Sequence, residues 1–125
     1  SEMCIRDSIK KTSNYEEFWT EERCFIREFV NTTTISDFSL AQSRVEPSVT
    51  TQLHKLSVDE WYTILRGTGL IEVGNRNVQP VGPGDIVEIT AGTSQRITNN
   101  GNEDLIFLCI CRPRFTADCY ESLED

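Results

Sequence analysis

Short β-type segments separated by turn signals run along most of the chain, and this pattern restricts the fold more than any other feature. Segments rich in Val, Ile, Thr and aromatic residues occupy 38–45, 50–56, 60–65, 69–73, 77–81, 86–89, 95–98 and 105–111. Clusters of Gly, Pro and Asn, such as Gly82-Pro83-Gly84, separate them. Many short strands at a spacing of roughly 8–12 residues are typical of an all-β sandwich or barrel. We therefore predict an all-β domain.

The 125 residues fit one domain, since no internal repeat or linker is visible. We predict an N-terminal extension over residues 9–37, a barrel over 38–111 and a C-terminal tail over 112–125 that is a short helix or a packed segment. Within the extension, Cys24–Val30 predicts a strand, and Asn14–Thr20 predicts a helical turn capped by Ser13 or Asn14.

The first eight residues have a different origin in our interpretation. Ser1-Glu2-Met3-Cys4-Ile5-Arg6-Asp7-Ser8 can be back-translated to a string that resembles a transposon-end adapter used in library preparation. We expect residues 1–8 to be a non-native scar, carried over from an assembled metagenomic contig, and we leave them out of the fold argument.

Charge and cysteine content limit the possible partners and location. The formal net charge of −8 repels phosphate backbones and anionic lipids, which argues against a nucleic-acid or membrane partner. Five cysteines, an odd number at irregular spacing, favour a reducing cytoplasmic location over a disulfide framework. Cys109 and Cys111 share one face of a predicted strand, where small buried hydrophobic side chains are the simplest interpretation.

Two groups of residues carry a more specific signal. Ser48, His54, Leu56, Glu60 and Gly67 follow one spacing; Gly84, Thr90, Gly92, Gln95 and Asn99 follow a second, and sixteen residues separate the two groups. Every gap equals that of the cupin motifs G-x5-H-x-H-x3,4-E-x6-G and G-x5-P-x-G-x2-H-x3-N. Over Phe38–Cys111 the chain thus resembles the cupin superfamily, particularly small, uncharacterised single-domain (cupin type-2) members. The resemblance implies a double-stranded β-helix, a jelly-roll barrel, with a short N-terminal extension.

The resemblance also implies a metal site, because cupins usually bind a divalent metal through three histidines and one glutamate. This chain has one histidine, and Leu56 and Gln95 occupy the positions of the other two. The candidate metal ligands that remain are His54, Glu60 and Gln95. Such a set would hold Zn²⁺, Ni²⁺, Mn²⁺ or Fe less tightly than the full one, and a barrel without metal is the alternative.

The same positions are candidates for chemistry without a metal. We predict His54 and Glu60 as a general base and its orienting acid, Tyr62 as a donor to a substrate oxygen, and Gln52 and Gln95 as ligand-binding residues. The structural alternatives are a hydrogen-bonded His54 and a Tyr62 that fills the barrel.

Two functions remain open for a small-molecule pocket of this kind. One is an isomerase, lyase or dioxygenase-like enzyme that acts on a sugar derivative or a small organic acid. The other is a non-catalytic module that binds or senses a small ligand, because the fold by itself does not choose a reaction.

Strand alternation also bears on assembly. It places Trp61, Thr63 and Leu65 on the outer face of the barrel, where a monomer would expose a large apolar area. We therefore expect a homodimer, paired through such strands. The alternative is an N-terminal segment that folds back over these residues within one chain.

Overall fold

The computed structural model describes residues 8–124, and nearly all of its regular structure is β. The strands are β1 Phe18–Thr20, β2 Cys24–Thr32, β3 Ile35–Val45, β4 His54–Leu56, β5 Asp59–Arg66, β6 Gly69–Val73, β7 Gln79–Val81, β8 Ile86–Ile89, β9 Gln95–Thr98, β10 Leu105–Arg112 and β11 Tyr120–Ser122. Two 3-10 helices cover Thr12–Asn14 and Ala117–Cys119. Residues 8–124 contain no α-helix, so the all-β prediction is confirmed. Within this part of the chain, no helix has the length and hydropathy to cross a membrane.

The strands form two antiparallel sheets. One sheet has six strands in the order β1-β2-β3-β10-β5-β8, and the other has five in the order β11-β4-β9-β6-β7. Buried apolar side chains of both sheets pack together: Val45, Tyr62, Ile64, Leu105 and Phe107 from the first meet Ile71 and Ile97 from the second. The core therefore lies between the sheets, as in a barrel made of two packed layers.

The N-terminal extension adds strands to the larger sheet. β1 pairs with β2, and β2 pairs with β3. The predicted helical turn over Asn14–Thr20 is wrong, because the 3-10 helix ends at Asn14 and Phe18–Thr20 is a strand. Pairing of Phe18 and Trp19 with β2 outweighs the local turn signal in this segment.

The two ends of the chain differ in what the structure describes. The expected adapter origin of residues 1–8 falls outside the described residues except for Ser8, and it stays a prediction. The tail after β10 is packed: Tyr120–Ser122 pairs with β4, and the Glu124 carboxylate accepts hydrogen bonds from Arg23 and from the Leu53 amide.

The turns between strands support the motif spacing. Gly67, Gly84 and Gly92 all have positive φ values, of 81°, 92° and 83°. Ser48, at the position where the cupin motif has its first glycine, also has a positive φ of 69°. A left-handed backbone is costly for a residue with a Cβ, which explains why the motif prefers glycine there.

Gly67 is the glycine that we expect to tolerate a side chain least. A Cβ at this position would lie 2.6 Å from the backbone oxygen of Asp104, whereas one at Gly84 would meet nothing within 4 Å. We predict that Gly67→Ala lowers the free energy of unfolding by about 2 kcal/mol and Gly84→Ala by about 1 kcal/mol, the cost of the left-handed backbone alone. Urea unfolding followed by circular dichroism measures both. Equal losses would show that the contact with Asp104 relaxes without cost.

Candidate functional site

A cavity of about 620 Å³ lies between the sheets and is lined by residues of both. The polar side chains predicted from the motifs, His54, Glu60, Tyr62 and Gln52, line it, together with Glu22 from the β1–β2 turn. Apolar and aromatic walls complete it, formed by Phe18, Ile26, Leu40, Leu56, Phe115 and Tyr120. A cavity of this size with a few polar groups suits a small organic molecule.

Gln95 joins two of the predicted site residues in a buried bridge. Its side-chain amide donates to Glu60 Oε1 at 2.9 Å, and its carbonyl oxygen accepts a hydrogen bond from the Tyr62 hydroxyl. Gln95 is fully buried, and Glu60 and Tyr62 lie on the same face of β5 by strand alternation. The bridge thus occupies both polar atoms of Gln95 and the hydroxyl proton of Tyr62, and Gln95 itself does not line the cavity.

His54 faces the same site from β4 but has different partners. It lies opposite Gln95 in the strand register, and its Nδ1 is 2.7 Å from the backbone oxygen of Gln52. Because a carbonyl can only accept, Nδ1 carries the proton and Nε2 of the neutral ring is an acceptor. Nε2 lies 3.6 Å from Glu22 Oε1, and the ring stacks on Tyr120 at 4.7 Å between centroids. The Nε2 atom of His54 therefore faces Glu22 and accepts no hydrogen bond from residues 8–124.

Comparison with known proteins gives the family. The cupin domain model matches residues 42–111, which is more than half of the chain. The protein belongs to the cupin family. An uncharacterised protein of Methanocaldococcus jannaschii is 37% identical over 87 residues, which are 69% of each chain.

Solved structures agree on the fold of this cupin. A Klebsiella pneumoniae protein with a double-stranded β-helix domain superposes with a TM-score of 0.75 at 19% identity, covering 94% of this chain and 97% of its own. Oxalate decarboxylase from Bacillus subtilis superposes with a TM-score of 0.78 at 19% identity, covering 91% of this chain, which spans only 31% of the decarboxylase. The predicted double-stranded β-helix is confirmed; at these identities the likeness extends to the fold alone.

The residues at the usual metal positions of a cupin do not fit a divalent cation here. Leu56 has no donor atom, and both polar atoms of Gln95 are used in the bridge to Glu60 and Tyr62. Of the four family positions, only those of His54 and Glu60 keep an uncommitted ligand atom, and a metal site normally needs at least three protein ligands. Among residues 8–124, no three His, Cys, Asp or Glu side chains come together as a metal site.

Burial changes the acidity of the groups around the cavity. It raises the pKa of Glu22 and of Glu60 from 4.5 to about 7, although the hydrogen bond from Gln95 partly opposes this for Glu60. Burial also lowers the pKa of His54, so the ring is held in its neutral form. Near neutral pH the site can therefore exchange protons between carboxyl groups and an unprotonated imidazole.

These shifts predict how stability depends on pH. A carboxyl group whose pKa is higher in the folded state than in the unfolded state destabilises the fold as pH rises from about 4.5 to about 7. We expect the melting temperature to be lower at pH 8.5 than at pH 5.5, and Glu60→Gln to reduce the difference. Differential scanning calorimetry measures it, with the exposed Glu46→Gln as control. An unchanged pH dependence in Glu60→Gln would contradict the assignment.

The cysteines of the barrel remain structural. Cys109 and Cys111 both line the cavity on one face of β10, as strand alternation predicts. Burial raises the pKa of both thiols, and the negative charge of Glu60 raises it further. Neither thiol therefore forms the reactive thiolate near neutral pH. Cys111 Sγ instead lies 3.6 Å from Glu60 Oε2.

Two residues that contact the site lie outside the set predicted from the sequence. Glu22 and Tyr120 belong to no motif, yet both contact His54. Tyr120 also donates to the side chain of Gln52 and so holds this predicted ligand-binding residue in the wall. Neither residue was predicted as part of the site, since both reach it from segments outside the two motifs.

Proposed function

We propose that this cupin binds a small organic molecule in its barrel and that binding requires no resident divalent metal. The observation that carries the proposal is the cavity of about 620 Å³, with Gln95 in a histidine position and hydrogen-bonded on both sides. A pocket of this volume buries most of the surface of a small ligand, and apolar walls provide most of the binding energy.

A thermal-shift screen tests this proposal. The probe is a library of small neutral, cationic and anionic organic compounds, applied in the presence of EDTA. We expect some compounds to raise the melting temperature of the parent, and Ala41→Trp, which places an indole in the cavity, to abolish the effect. Gln42→Trp, on the opposite face of β3, is the matched control that keeps it. No stabilising compound, or one that acts only after metal is added, would overturn the proposal.

A second candidate function is proton transfer on the bound molecule, with His54 as the base. It is favoured by the Nδ1 contact to the Gln52 carbonyl at 2.7 Å, which leaves Nε2 free to accept a proton in the cavity. Protonated Glu22, 3.6 Å from Nε2, would give its own proton to the ligand as the acid, and the proton on His54 would then pass to the Glu22 carboxylate. Solvent-deuterium exchange into a bound compound, followed by nuclear magnetic resonance, tests this. His54→Gln should stop exchange and keep binding; exchange that persists would exclude His54 as the base.

The expected homodimer also remains a proposal. Tyr15 packs on Phe29 and Glu17 pairs with Arg44, so the N-terminal segment covers the part of the outer face formed by β2 and β3. Leu65 and Ile86, on β5 and β8, remain 48% and 68% exposed. A second copy of this chain would cover them.

Light scattering at micromolar concentration measures the assembly. The mass of one chain is 14.3 kDa, and we expect twice that value. Leu65→Glu should return the mass to that of one chain, whereas Gln79→Glu, a matched change at another exposed position, should not. A monomeric parent would favour the alternative, in which the N-terminal segment is the only cover of the outer face.

We further propose a reducing, cytoplasmic location. Cys24, Cys109, Cys111 and Cys119 are all free thiols in the described part of the chain. Such an arrangement is typical of cytosolic proteins, in which thiols stay reduced.

A further inference from the structure

The charged groups of the cavity wall are of one sign. The lining carboxyl groups belong to Glu21, Glu22, Glu28 and Glu60, and none of the described lining residues is Lys or Arg. Two nearby arginines are paired elsewhere, since Arg44 binds Glu17 and Asp104 and Arg23 binds Glu124. Arg27 lies between the lining residues Ile26 and Glu28 on β2 but does not itself line the cavity. An anionic ligand would therefore meet carboxylates in the cavity without a compensating cation.

The polar atoms of the described wall that lack a partner are all hydrogen-bond acceptors. His54 is 3% exposed, and its Nε2 accepts no hydrogen bond in the described structure. The Glu22 carboxylate accepts none either, and Glu60 Oε2, in a side chain that is 7% exposed, has only the Cys111 thiol at 3.6 Å. The donors beside them are already used, since the hydroxyls of Tyr62 and Tyr120 donate to Gln95 and Gln52. Above about pH 7, where Glu22 and Glu60 are deprotonated, the cavity presents three acceptors that need donors from a ligand.

The apolar and aromatic residues of the wall indicate the chemistry of the part of a ligand that makes no hydrogen bonds. Phe18, Ile26, Leu40 and Phe115 also line the cavity. The Tyr120 ring, stacked on His54, adds an aromatic face beside the acceptors. Aromatic faces attract cations, and apolar walls favour a hydrocarbon body.

Building on the proposed function, we propose that the cavity prefers an organic cation with an apolar body, whose ammonium group lies between Glu22 and His54 Nε2, which are 3.6 Å apart. An ammonium carries three donors and no acceptor, so it can donate to Glu22 and to His54 Nε2 together. Its positive charge pairs with carboxylates that have no other cation. This preference differs from the sugar derivative or small organic acid that the family resemblance implies.

Three matched probes test the charge preference by isothermal titration calorimetry: 2-phenylethylamine, 2-phenylethanol and 3-phenylpropionate. The same three head groups are also tested on cyclohexyl and indolyl bodies. This shows whether weak binding results only from a poor fit of the phenyl ring. We expect the amine to bind at least about tenfold more tightly than the alcohol. The carboxylate should bind more weakly than both.

Variants locate the ammonium. Glu22→Gln should remove most of the preference for the amine over the alcohol. Glu46→Gln, the same charge change outside the cavity, should leave the preference intact. Loss of preference in both variants would show only a long-range effect of net charge and would overturn the placement of the ammonium.

The outcomes separate this inference from the function on which it rests. Equal binding of amine and alcohol, or tighter binding of the carboxylate, would overturn the cation preference while the pocket itself stands. If no member of any series binds and the thermal-shift screen also finds no ligand, the proposed function fails as well.

Discussion

Leu56→His together with Gln95→His should give this cupin a divalent metal that the parent does not retain. The double substitution restores the three histidines and one glutamate of the family at the positions that the motif spacing assigns. His54 already lies opposite Gln95 in the register, and Leu56 and Glu60 line the same cavity. Mutation of residues that only hydrogen-bond to metal ligands already changes metal affinity by roughly 10–100-fold. Two added imidazole ligands should therefore increase the affinity by more than this.

Elemental analysis of protein purified without a histidine tag measures the effect. We expect close to one Zn²⁺, Ni²⁺ or Mn²⁺ per chain in the double variant and far less in the parent. Each single substitution should give an intermediate value. Leu65→His, which adds an imidazole on the exposed outer face, is the control and should bind no more than the parent. Equal metal content in parent and double variant would show that cavity geometry, rather than the identity of the ligands, prevents binding.

Gln95→Leu should lower the free energy of unfolding by about 3 kcal/mol, because it leaves two buried polar groups without their partner. Glu60 would lose the amide donor at 2.9 Å, and the Tyr62 hydroxyl would lose its acceptor. Leucine has a similar volume and keeps an apolar stem, so the loss reports mainly on the hydrogen bonds. Urea unfolding at constant pH measures it.

Two comparisons make this prediction specific. Tyr62→Phe removes only one hydrogen bond and should cost about 1 kcal/mol. The loss in the double variant Gln95→Leu with Tyr62→Phe should be smaller than the sum of the single losses, because both act on one network. Gln79→Leu, at an exposed position, should change stability by less than about 0.5 kcal/mol. Additive losses at Gln95 and Tyr62 would mean that the bridge does not act as a unit.

Strand positions were largely predictable from local pattern. Ile86–Ile89 and Gln95–Thr98 agree with the structure at both ends, since Gly and Asn turns limit them on each side. The predicted segment 50–56 shrinks to His54–Leu56, and Thr50 keeps only an isolated bridge to Thr98. Local composition does not reveal which residues of an extended segment find a partner strand, because pairing depends on distant residues.

The sequence by itself determined the family and the inward positions of the site. Motif spacing placed His54, Glu60 and Gln95 on three strands, and a period of two put Tyr62 on the same face as Glu60. Only the tertiary structure decided what these residues do. It commits Gln95 to Tyr62 and Glu60, and it brings Glu22 to His54 from a turn that precedes the barrel. The reason is physical: spacing along a strand selects the face of a side chain, whereas hydrogen-bond partners and charge balance depend on which distant segments fold against that face.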